Sequence, residues 1–384
     1  MLYISSVNDK LLVENPIKDD INSLIMQLSR AKNVREVRRL ERIILNKLKR
    51  KGTPYIDDDT AHFIYHGSDE KDISIVGDWN KWKQGVDKFI RINPRSSLRH
   101  FFTKFPIDAR LSYRFVINGN ESVNDPLNPN ILQEVFGANT FLRMPGYRGI
   151  PYAGEPKRTV SKGRLIDILA EGNENVAPRI VQIYIPHGMK RHGKAHYLYV
   201  NDGAQAVTIG KFVNVLDNLF YHEPNVPKTI VVFVPPVERH TEYMMGKHFA
   251  EWYANSLVKQ VERKTRFRSD AALRTVQGAS LGGLFAMYLG MEHYKLFRNI
   301  AAQSPSFWIE DHAIVNLFAK RRALPLRIYL QTGTINDAEI GARKMLRVLQ
   351  AKEYDVIYRE SNESHNWANW SARYADIVRW SAAK

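Results

Sequence analysis

The sequence predicts an α/β fold in its C-terminal part, preceded by a small all-β region and an N-terminal helical segment. From about Arg164 onward, strand-like apolar runs alternate with helix-like runs, which is typical of a mainly parallel sheet with helices between its strands. Before that point, short strand-like runs are separated by turn residues, with no long helix-like run between them. We therefore expect three parts, at residues 1–51, 52–147 and 148–384.

The N-terminal segment is predicted to contain an amphipathic helix. Asn33, followed three residues later by Glu36, resembles the capping box that begins many helices. We interpret the strongly basic face of this helix as a solvated surface rather than a nucleic-acid site, because no nucleic-acid-binding motif accompanies it. The apolar stripe comprises Val37, Leu40, Ile44 and Leu48, and the basic residues are Arg35, Arg38, Arg39, Arg42, Lys47, Lys49, Arg50 and Lys51.

The region from 52 to 147 is predicted to form a small immunoglobulin-like β-sandwich. Its turn Gly77–Trp82 carries two tryptophans, which either pack a small β core or stack on a ring-shaped ligand. A segment rich in Gly, Pro and basic residues, Gly146–Lys162, is the expected linker. The expected strands are Ala61–His66, Asp72–Gly77, Phe101–Phe105 and Leu111–Asn118.

Composition narrows the class of protein. The 56 Lys and Arg residues against 40 Asp and Glu give a net charge of +16, which would concentrate anionic substrates near the surface. No apolar run approaches the length of a membrane span, and Met1–Lys10 does not resemble a signal peptide, so we expect a cytoplasmic protein without membrane contact. The chain has no cysteine, and no histidine pair has metal-ligand spacing on a convincing helix. We expect no metal, cofactor or nucleic-acid partner.

The predicted strands and helices of the C-terminal part follow one another along the chain. A buried strand in a mainly parallel sheet reads as a short apolar run, whereas the helices between strands show apolar residues at helical spacing. The expected strands are Arg164–Ala170, Arg179–Pro186, Ala195–Val200, Thr229–Pro235, Leu273–Gln277, Arg327–Gln331 and Asp355–Glu360, and the expected helices are Phe212–Phe220, Phe249–Arg263, Gly283–Leu289, Ala338–Lys352 and Trp367–Trp380.

The pentapeptide Gly278–Gly282 has the form Gly-x-Ser-x-Gly and lies between a predicted strand and a predicted helix. In α/β-hydrolases this pattern forms the nucleophile elbow, a strained turn that exposes the serine hydroxyl. The glycines are needed because side chains there would clash with the neighbouring strand and helix, and the helix N-terminus favours developing negative charge. Ser280 is therefore the candidate nucleophile.

A serine nucleophile needs a histidine to accept its proton and an acid to orient that histidine. In this fold the acid and then the histidine follow the serine along the chain. Asp337 and His365 each follow a predicted strand, at the edge where α/β sheets place their sites. They are the candidate acid and base. The rival acids are Glu339, Glu360 and Glu363, and the rival histidines are His187, His240 and His293.

An oxyanion hole needs two backbone donors. One is expected to be the amide of Leu281, the residue after the nucleophile. The other is expected in the loop after the strand Ala195–Val200, where Gly203 permits a close backbone approach. The amides of Ala204 and Gln205 are both candidates for this second donor.

The residues resemble an enterochelin (enterobactin) esterase, a member of the wider putative-esterase group that includes feruloyl esterases. The resemblance extends over nearly the whole chain after Lys51, although the usual Gly-Gly-His around the base is Glu363-Ser364-His365 here. Its motifs are Arg50–Ile56, Gly77–Trp82, Asn124–Pro129, Val200–Gly203, Arg239–Tyr243, the elbow, Gln303–Trp308, Gly333–Asp337 and Ser364–Trp367.

The resemblance implies a serine esterase that opens a triserine-trilactone siderophore in the cytoplasm through an acyl-enzyme. It implies Ser280 as nucleophile, His365 as base and Asp337 as acid. It also implies that Arg239 and Glu242 line or brace the site, the alternative being a structural salt bridge between them. The residues of these motifs expected at the substrate are Asp202, Arg239, Glu242, Trp308 and Trp367.

Two alternatives remain from the sequence alone. One is a feruloyl, acetyl or other promiscuous aromatic ester hydrolase whose sandwich resembles a glycan-binding module. The other is a non-catalytic binding protein that retains the hydrolase fold. The expected partner is a small-molecule ester, with an anionic ferric catecholate as the candidate that suits the net charge.

Overall fold

The computed structural model describes residues 20–67, 72–134, 137–189 and 193–383. The expectation for Met1–Lys10 lies outside the described residues. The chain divides into two compact units. The second unit comprises Val76–Lys83, Pro106–Tyr113 and Ile131–Lys384, so it includes segments before the expected boundary at residue 148. The first unit comprises Met1–Ile75, Gln84–Phe105 and Arg114–Asn130.

The first described elements of the first unit are two helices, α1 (Ile21–Arg30) and α2 (Val34–Lys51). The side chain of Asn33 accepts the Glu36 amide over 2.9 Å, which satisfies one of the unpaired donors of the first turn of α2. The apolar stripe of α2 is buried in a cluster with α1 and with residues of the neighbouring strands, while its basic residues are mostly exposed. Tertiary burial of the stripe, rather than helix propensity alone, therefore stabilises this helix.

The all-β region forms two sheets. The first has the order β1-β2-β6-β5, and the second has the order β4-β3-β7-β10-β9 with β8 paired to β7. The sequence patterns predict parts of β2, β3, β6 and β7; they do not predict the strands of two to four residues or the seven-residue β10. The strands are β1 (Tyr55–Asp57), β2 (Thr60–His66), β3 (Ile73–Gly77), β4 (Asp87–Lys88), β5 (Ile90–Arg91), β6 (Leu98–Lys104), β7 (Arg110–Ile117), β8 (Glu121–Val123), β9 (Ile131–Glu134) and β10 (Gly137–Arg143).

An eight-stranded sheet organises the second unit, in the order β11-β12-β14-β13-β15-β16-β17-β18. The first two strands run antiparallel to their neighbours, and the pairings from β14 through β18 are parallel. Parallel strands place their carboxyl ends on one edge, which brings their following loops together. The strands are β11 (Arg164–Ala170), β12 (Arg179–Ile185), β13 (His196–Asn201), β14 (Thr229–Val234), β15 (Arg274–Ala279), β16 (Asn299–Gln303), β17 (Arg327–Gly333) and β18 (Asp355–Ser361).

Helices connect these strands, and two of the expected helices are interrupted. The expected helix Phe249–Arg263 consists of α6 and α7 with a π-helical turn, Tyr253–Leu257, between them. The expected helix Trp367–Trp380 is divided into α11 and α12. The helices are α3 (Gly203–Thr208), α4 (Phe212–His222), α5 (Arg239–Tyr243), α6 (Lys247–Trp252), α7 (Val258–Thr265), α8 (Leu281–Glu292), α9 (Ala313–Lys320), α10 (Glu339–Ala351), α11 (Trp367–Ser371) and α12 (Tyr374–Ala382).

The large sheet is buried by two apolar clusters, one containing side chains of α8 and α10 and the other containing side chains of α4 and α12. Strands β14 and β15 are buried at every position; β14 is accordingly a continuous apolar run after Thr229, whereas β15 also buries the polar residues Arg274, Thr275 and Gln277. This rigid sheet is the support for the loops at its carboxyl edge. Among the described helices, none has the length and apolar character that a membrane crossing would require.

Candidate active site

Ser280 occupies a sharp turn between β15 and α8. Its backbone has φ 57° and ψ −124°, a conformation that L-residues adopt only under strain. A Cβ on Gly278 would lie 2.1 Å from the carbonyl oxygen of Gly282, so a side chain there is excluded. The Ser280 amide donates to the Gln303 carbonyl over 2.9 Å, which fixes the turn to strand β16. The predicted strand–turn–helix context of the motif is therefore present.

The structure brings Ser280, His365 and Asp337 into one hydrogen-bonded chain. Nε2 of His365 lies 2.9 Å from Oγ of Ser280, and Nδ1 lies 2.6 Å from Oδ1 of Asp337. Because a carboxylate only accepts, Nδ1 carries the proton and Nε2 presents its lone pair to the serine hydroxyl. The Asp337 side chain is fully buried, whereas that of His365 is 31% exposed. This arrangement can withdraw a proton from Ser280 while remaining open to a substrate.

The second carboxylate oxygen of Asp337 is held by three donors. The Ser304 hydroxyl donates over 2.6 Å, the Gly333 amide over 2.5 Å and Nδ2 of Asn369 over 3.2 Å. These bonds fix the plane of the carboxylate and leave Oδ1 directed at His365. Neither Ser304 nor Asn369 is among the predicted site residues. Ser304 belongs to the motif Gln303–Trp308 but follows β16, a strand that no pattern predicts, and Asn369 lies within a short helix.

The rival glutamates have other surroundings. Glu360 forms a bidentate ion pair with Arg343, at 2.6 and 2.9 Å, and also accepts from the Tyr358 hydroxyl. Glu363 is buried, and this burial raises the pKa of its carboxyl to about 7, partly opposed by the cations of Arg110 and Arg373. Glu339 begins α10. Among the described residues, the carboxylate bonded to His365 is that of Asp337.

The loop after β13 packs against the elbow. Nδ2 of Asn201 donates to the Gly282 carbonyl over 2.9 Å, and a Cβ on Gly203 would lie 2.3 Å from the backbone of Phe233. The candidate oxyanion donors Ala204 and Gln205 lie in the first turn of α3, and Leu281 begins α8. Amides in a first helical turn have no partner within the helix, so they are available to a developing oxyanion.

Arg239 and Glu242 do not pair with each other. Arg239 binds both carboxylate oxygens of Asp202, at 2.8 and 2.9 Å, and its side chain is 41% exposed. Glu242 instead binds Arg179 through two 2.7 Å bonds, and both of these side chains are buried. The alternative of a salt bridge between Arg239 and Glu242 is therefore wrong. The buried pair braces the protein interior, which leaves the Arg239–Asp202 pair as the more accessible of the two.

The two tryptophans expected at the substrate have different exposures. Trp308 is half exposed, and its ring centroid lies 6.3 Å from that of His365 in an edge-to-face arrangement. Trp367 is buried against Trp370, whose ring contacts His365 at 5.2 Å. Trp308 thus offers an aromatic surface beside the histidine, whereas Trp367 supports Trp370 from the interior.

Metal ligation has no support among the described residues, where no group of three or more His, Cys, Asp or Glu side chains is arranged to hold an ion. The chemistry available at this site is that of the serine, the histidine, the aspartate and the backbone amides. A serine, a histidine and an aspartate bonded in this order are the side chains that acyl transfer uses in known serine hydrolases.

Comparison with known proteins shows similarity to esterases. The family model described as Putative esterase matches residues 176–381, which is more than half of the chain. The iron(III) enterobactin esterase of Dickeya dadantii is 25% identical over 178 residues, 41% of each chain. The uncharacterized protein YbbA of Bacillus subtilis is 22% identical over 153 residues, 36% of this chain and 60% of YbbA. The matches therefore span less than two thirds of either curated relative.

A solved structure shares the fold over a longer stretch. The ferric enterobactin esterase of Salmonella typhimurium superposes with a TM-score of 0.72, covering 88% of this chain and 98% of that one, at 18% sequence identity. This similarity includes residues before the span of the family model.

Proposed function

The chain belongs to the Putative esterase family, and on that premise we propose that it hydrolyses carboxylic esters through an acyl-enzyme on Ser280. The family match confirms the predicted family resemblance. The observation that carries the mechanism is the chain of hydrogen bonds from Ser280 through His365 to Asp337. It supplies a nucleophile, a base and an orienting acid in the order that serine hydrolysis requires.

In the proposed reaction, Oγ of Ser280 attacks the ester carbonyl carbon while its proton passes to Nε2 of His365. The oxyanion is stabilised by the amides of Leu281 and of Ala204 or Gln205. The intermediate collapses, and the departing alcohol takes the proton from His365. A water molecule then attacks the acyl carbon, giving its proton to His365, and this proton returns to Ser280 as the acid leaves.

Asp337 has two tasks in this proposal. It holds His365 in the tautomer with its proton on Nδ1, and it stabilises the imidazolium that forms when Nε2 accepts the serine proton. Its full burial and three further donors support both tasks, because the carboxylate keeps one orientation throughout the cycle.

For the substrate, we propose a siderophore trilactone of the enterobactin type. The solved relative with the same fold is named a ferric enterobactin esterase, and a net charge of +16 would attract an anionic ferric catecholate. The half-exposed ring of Trp308 beside His365 could pack against the aromatic part of such a substrate. Asp202 and Arg239 would border the same opening, and the reaction would take place in the cytoplasm, as the resemblance implies.

The domain layout completes this proposal. We propose an immunoglobulin-like sandwich at 52–147 and an esterase domain at 148–384. The compact unit that contains the triad also includes segments before residue 148.

A substrate panel tests the function. Ferric enterobactin, methyl ferulate and p-nitrophenyl acetate would be hydrolysed by the wild type and by Ser280→Ala, with a thermal melt of each protein as the folding control. Trilactone cleavage far above the other two, and lost in the variant, is the expected result. Cleavage of the feruloyl or simple ester alone would move the substrate to the aromatic-ester class. Near-normal activity in Ser280→Ala would overturn the mechanism.

A further inference from the structure

The turn Gly77–Trp82, which the reaction itself does not use, is locked in place. The carboxylate of Asp78 is buried and accepts the Ser112 amide over 2.8 Å and the Trp82 indole N–H over 3.2 Å. A Cβ on Gly77 would lie 2.4 Å from the Trp79 ring and 2.7 Å from the Ser112 carbonyl oxygen, so only glycine fits there. The backbone carbonyls of this turn therefore have fixed positions.

Two of these carbonyls bind the loop that carries the triad acid. Nδ2 of Asn336 donates to the carbonyl oxygen of Asp78 over 2.8 Å and to that of Trp79 over 2.7 Å. Asn336 has φ 52°, a left-handed conformation that asparagine tolerates better than most residues. Asp337 is the next residue, so the backbone leading into the acid is anchored one residue before the carboxylate.

Asp78 also touches the loop that carries the base. One of its carboxylate oxygens lies 3.4 Å from Nδ2 of Asn366, the residue after His365. Asn366 caps α11 by accepting the Asn369 amide over 3.1 Å. One short turn thus contacts the residue before Asp337 and the residue after His365, and all of these segments belong to the same compact unit.

We propose that Asn336 is a positioning residue for the triad, and that the turn Gly77–Trp82 is the platform that holds it. The inference rests on the proposed function, since it assigns the Asn336 amide the task of fixing Asp337 against His365. A displacement of a catalytic group by about 1 Å can cost on the order of 100-fold in rate, so a rigid anchor beside the acid has kinetic value. In this proposal both tryptophans of the turn have a structural role: the Trp82 indole binds Asp78, and the Trp79 carbonyl accepts the Asn336 amide.

The test is Asn336→Gly, because glycine tolerates the left-handed backbone and the side chain with its amide is removed; the added backbone freedom is matched in the control variant Asn118→Gly. We expect kcat for p-nitrophenyl acetate to fall about 10-fold with little change in KM, since the acid is misplaced but the substrate surface is not. Asn336→Asp places a carboxylate against two carbonyl oxygens, and we expect its kcat to fall further than that of Asn336→Gly. Unchanged kcat in both variants would overturn the proposal.

A second readout does not depend on turnover. The Nδ1 proton of His365, held in a 2.6 Å bond, is expected to give a far-downfield proton NMR resonance that broadens or moves upfield in Asn336→Gly. A resonance identical to that of the wild type would contradict the positioning role. If the wild type hydrolyses no ester in a Ser280-dependent manner, the proposed function fails, whereas this resonance still decides whether Asn336 positions the pair.

Asn118→Gly is the matched control. Asn118 is also an asparagine with positive φ, at 49°, and its side chain accepts the Asp72 amide in the first unit. It should leave kcat and the resonance unchanged. An equal loss of kcat in both Asn→Gly variants would show a general effect of the substitution and would overturn the specific role of Asn336.

Discussion

The indole N–H of Trp370 donates to the hydroxyl oxygen of Ser304 over 3.0 Å, and this bond directs the Ser304 proton toward Asp337. Because the oxygen already accepts from the indole, its own hydrogen is free to donate to the carboxylate over 2.6 Å. Trp370 also stacks edge-on against His365 at 5.2 Å. One tryptophan therefore supports both the acid, through Ser304, and the base, by direct contact.

Ser304→Ala should lower kcat about 10- to 100-fold. The substitution removes a hydrogen bond to a charged group, worth about 1.5–3 kcal/mol, without changing the charge or the backbone conformation demanded at this position. Steady-state kinetics on p-nitrophenyl acetate measures the loss. Ser381→Ala is the control, because that buried serine donates only within its own helix, to the Val378 carbonyl. An equal kcat in Ser304→Ala and the wild type would contradict a catalytic contribution of the hydrogen bond from Ser304 to Asp337.

Asp337→Asn should lower the rate on the order of 10⁴-fold while leaving the fold intact. An asparagine amide facing Nδ1 favours the wrong histidine tautomer, which turns the Nε2 lone pair away from the serine. Pre-steady-state kinetics on the same ester, with circular dichroism for folding, checks this. A normal rate in Asp337→Asn together with an inactive Glu363→Gln would assign the acid to Glu363 instead.

Glu363→Gln should change how stability depends on pH. Burial raises the pKa of this carboxyl from about 4.5 to about 7, so between these values the native state keeps a proton that the unfolded state has lost. Native stability therefore falls as pH rises from about 5 to about 7 and then levels off. The glutamine variant lacks this loss, which is on the order of 1–3 kcal/mol. Urea unfolding at pH 5 and pH 8 measures the difference.

The pH experiment needs the wild type as reference because other buried acids titrate in the same direction. Burial also raises the pKa of Glu134 to about 7 and that of Asp78 to about 6, and both remain in the variant. Glu121→Gln, at an exposed position of β8, is the control and should keep the wild-type slope. A Glu363→Gln protein with the same slope as the wild type would contradict the assignment of a proton to Glu363.

Arg179→Met should destabilise the protein by about 3–5 kcal/mol, because it leaves the buried carboxylate of Glu242 without its cation. The double variant Arg179→Met/Glu242→Leu should recover part of this loss, since no unpaired charge remains. Denaturant unfolding of the two variants measures both values. A single variant within about 1 kcal/mol of the wild type would show that the pair does not brace the interior.

Sequence patterns are sufficient to predict those structural features that depend on residues close together in the chain. Strand β14 is an apolar run, and Gly278 is required by a contact within one turn, since a Cβ there would meet the Gly282 carbonyl; both signals are recognisable from nearby residues in the sequence. The order of Asp337 and His365 along the chain follows from the connectivity of the fold. The resemblance to enterochelin esterases joined these separate signals into one site.

Long-range packing explains what the sequence did not show. Strand β16, Asn299–Gln303, has only five residues with a polar residue at each end, and it becomes a strand because it is buried between β15 and β17. Ser304 acquires its position only from that strand. Asn336 and the turn at Asp78 are separated by more than 250 residues, and no periodicity links them.

The most direct test of the account is to trap the acyl-enzyme. Wild type and Ser280→Ala would be mixed with a slowly deacylated aryl ester, quenched in acid and analysed by intact mass and peptide mapping. The account predicts one acyl group on the wild type, located at Ser280, and none on the variant. An acyl group at another residue, or equal labelling of both proteins, would contradict Ser280 as the nucleophile.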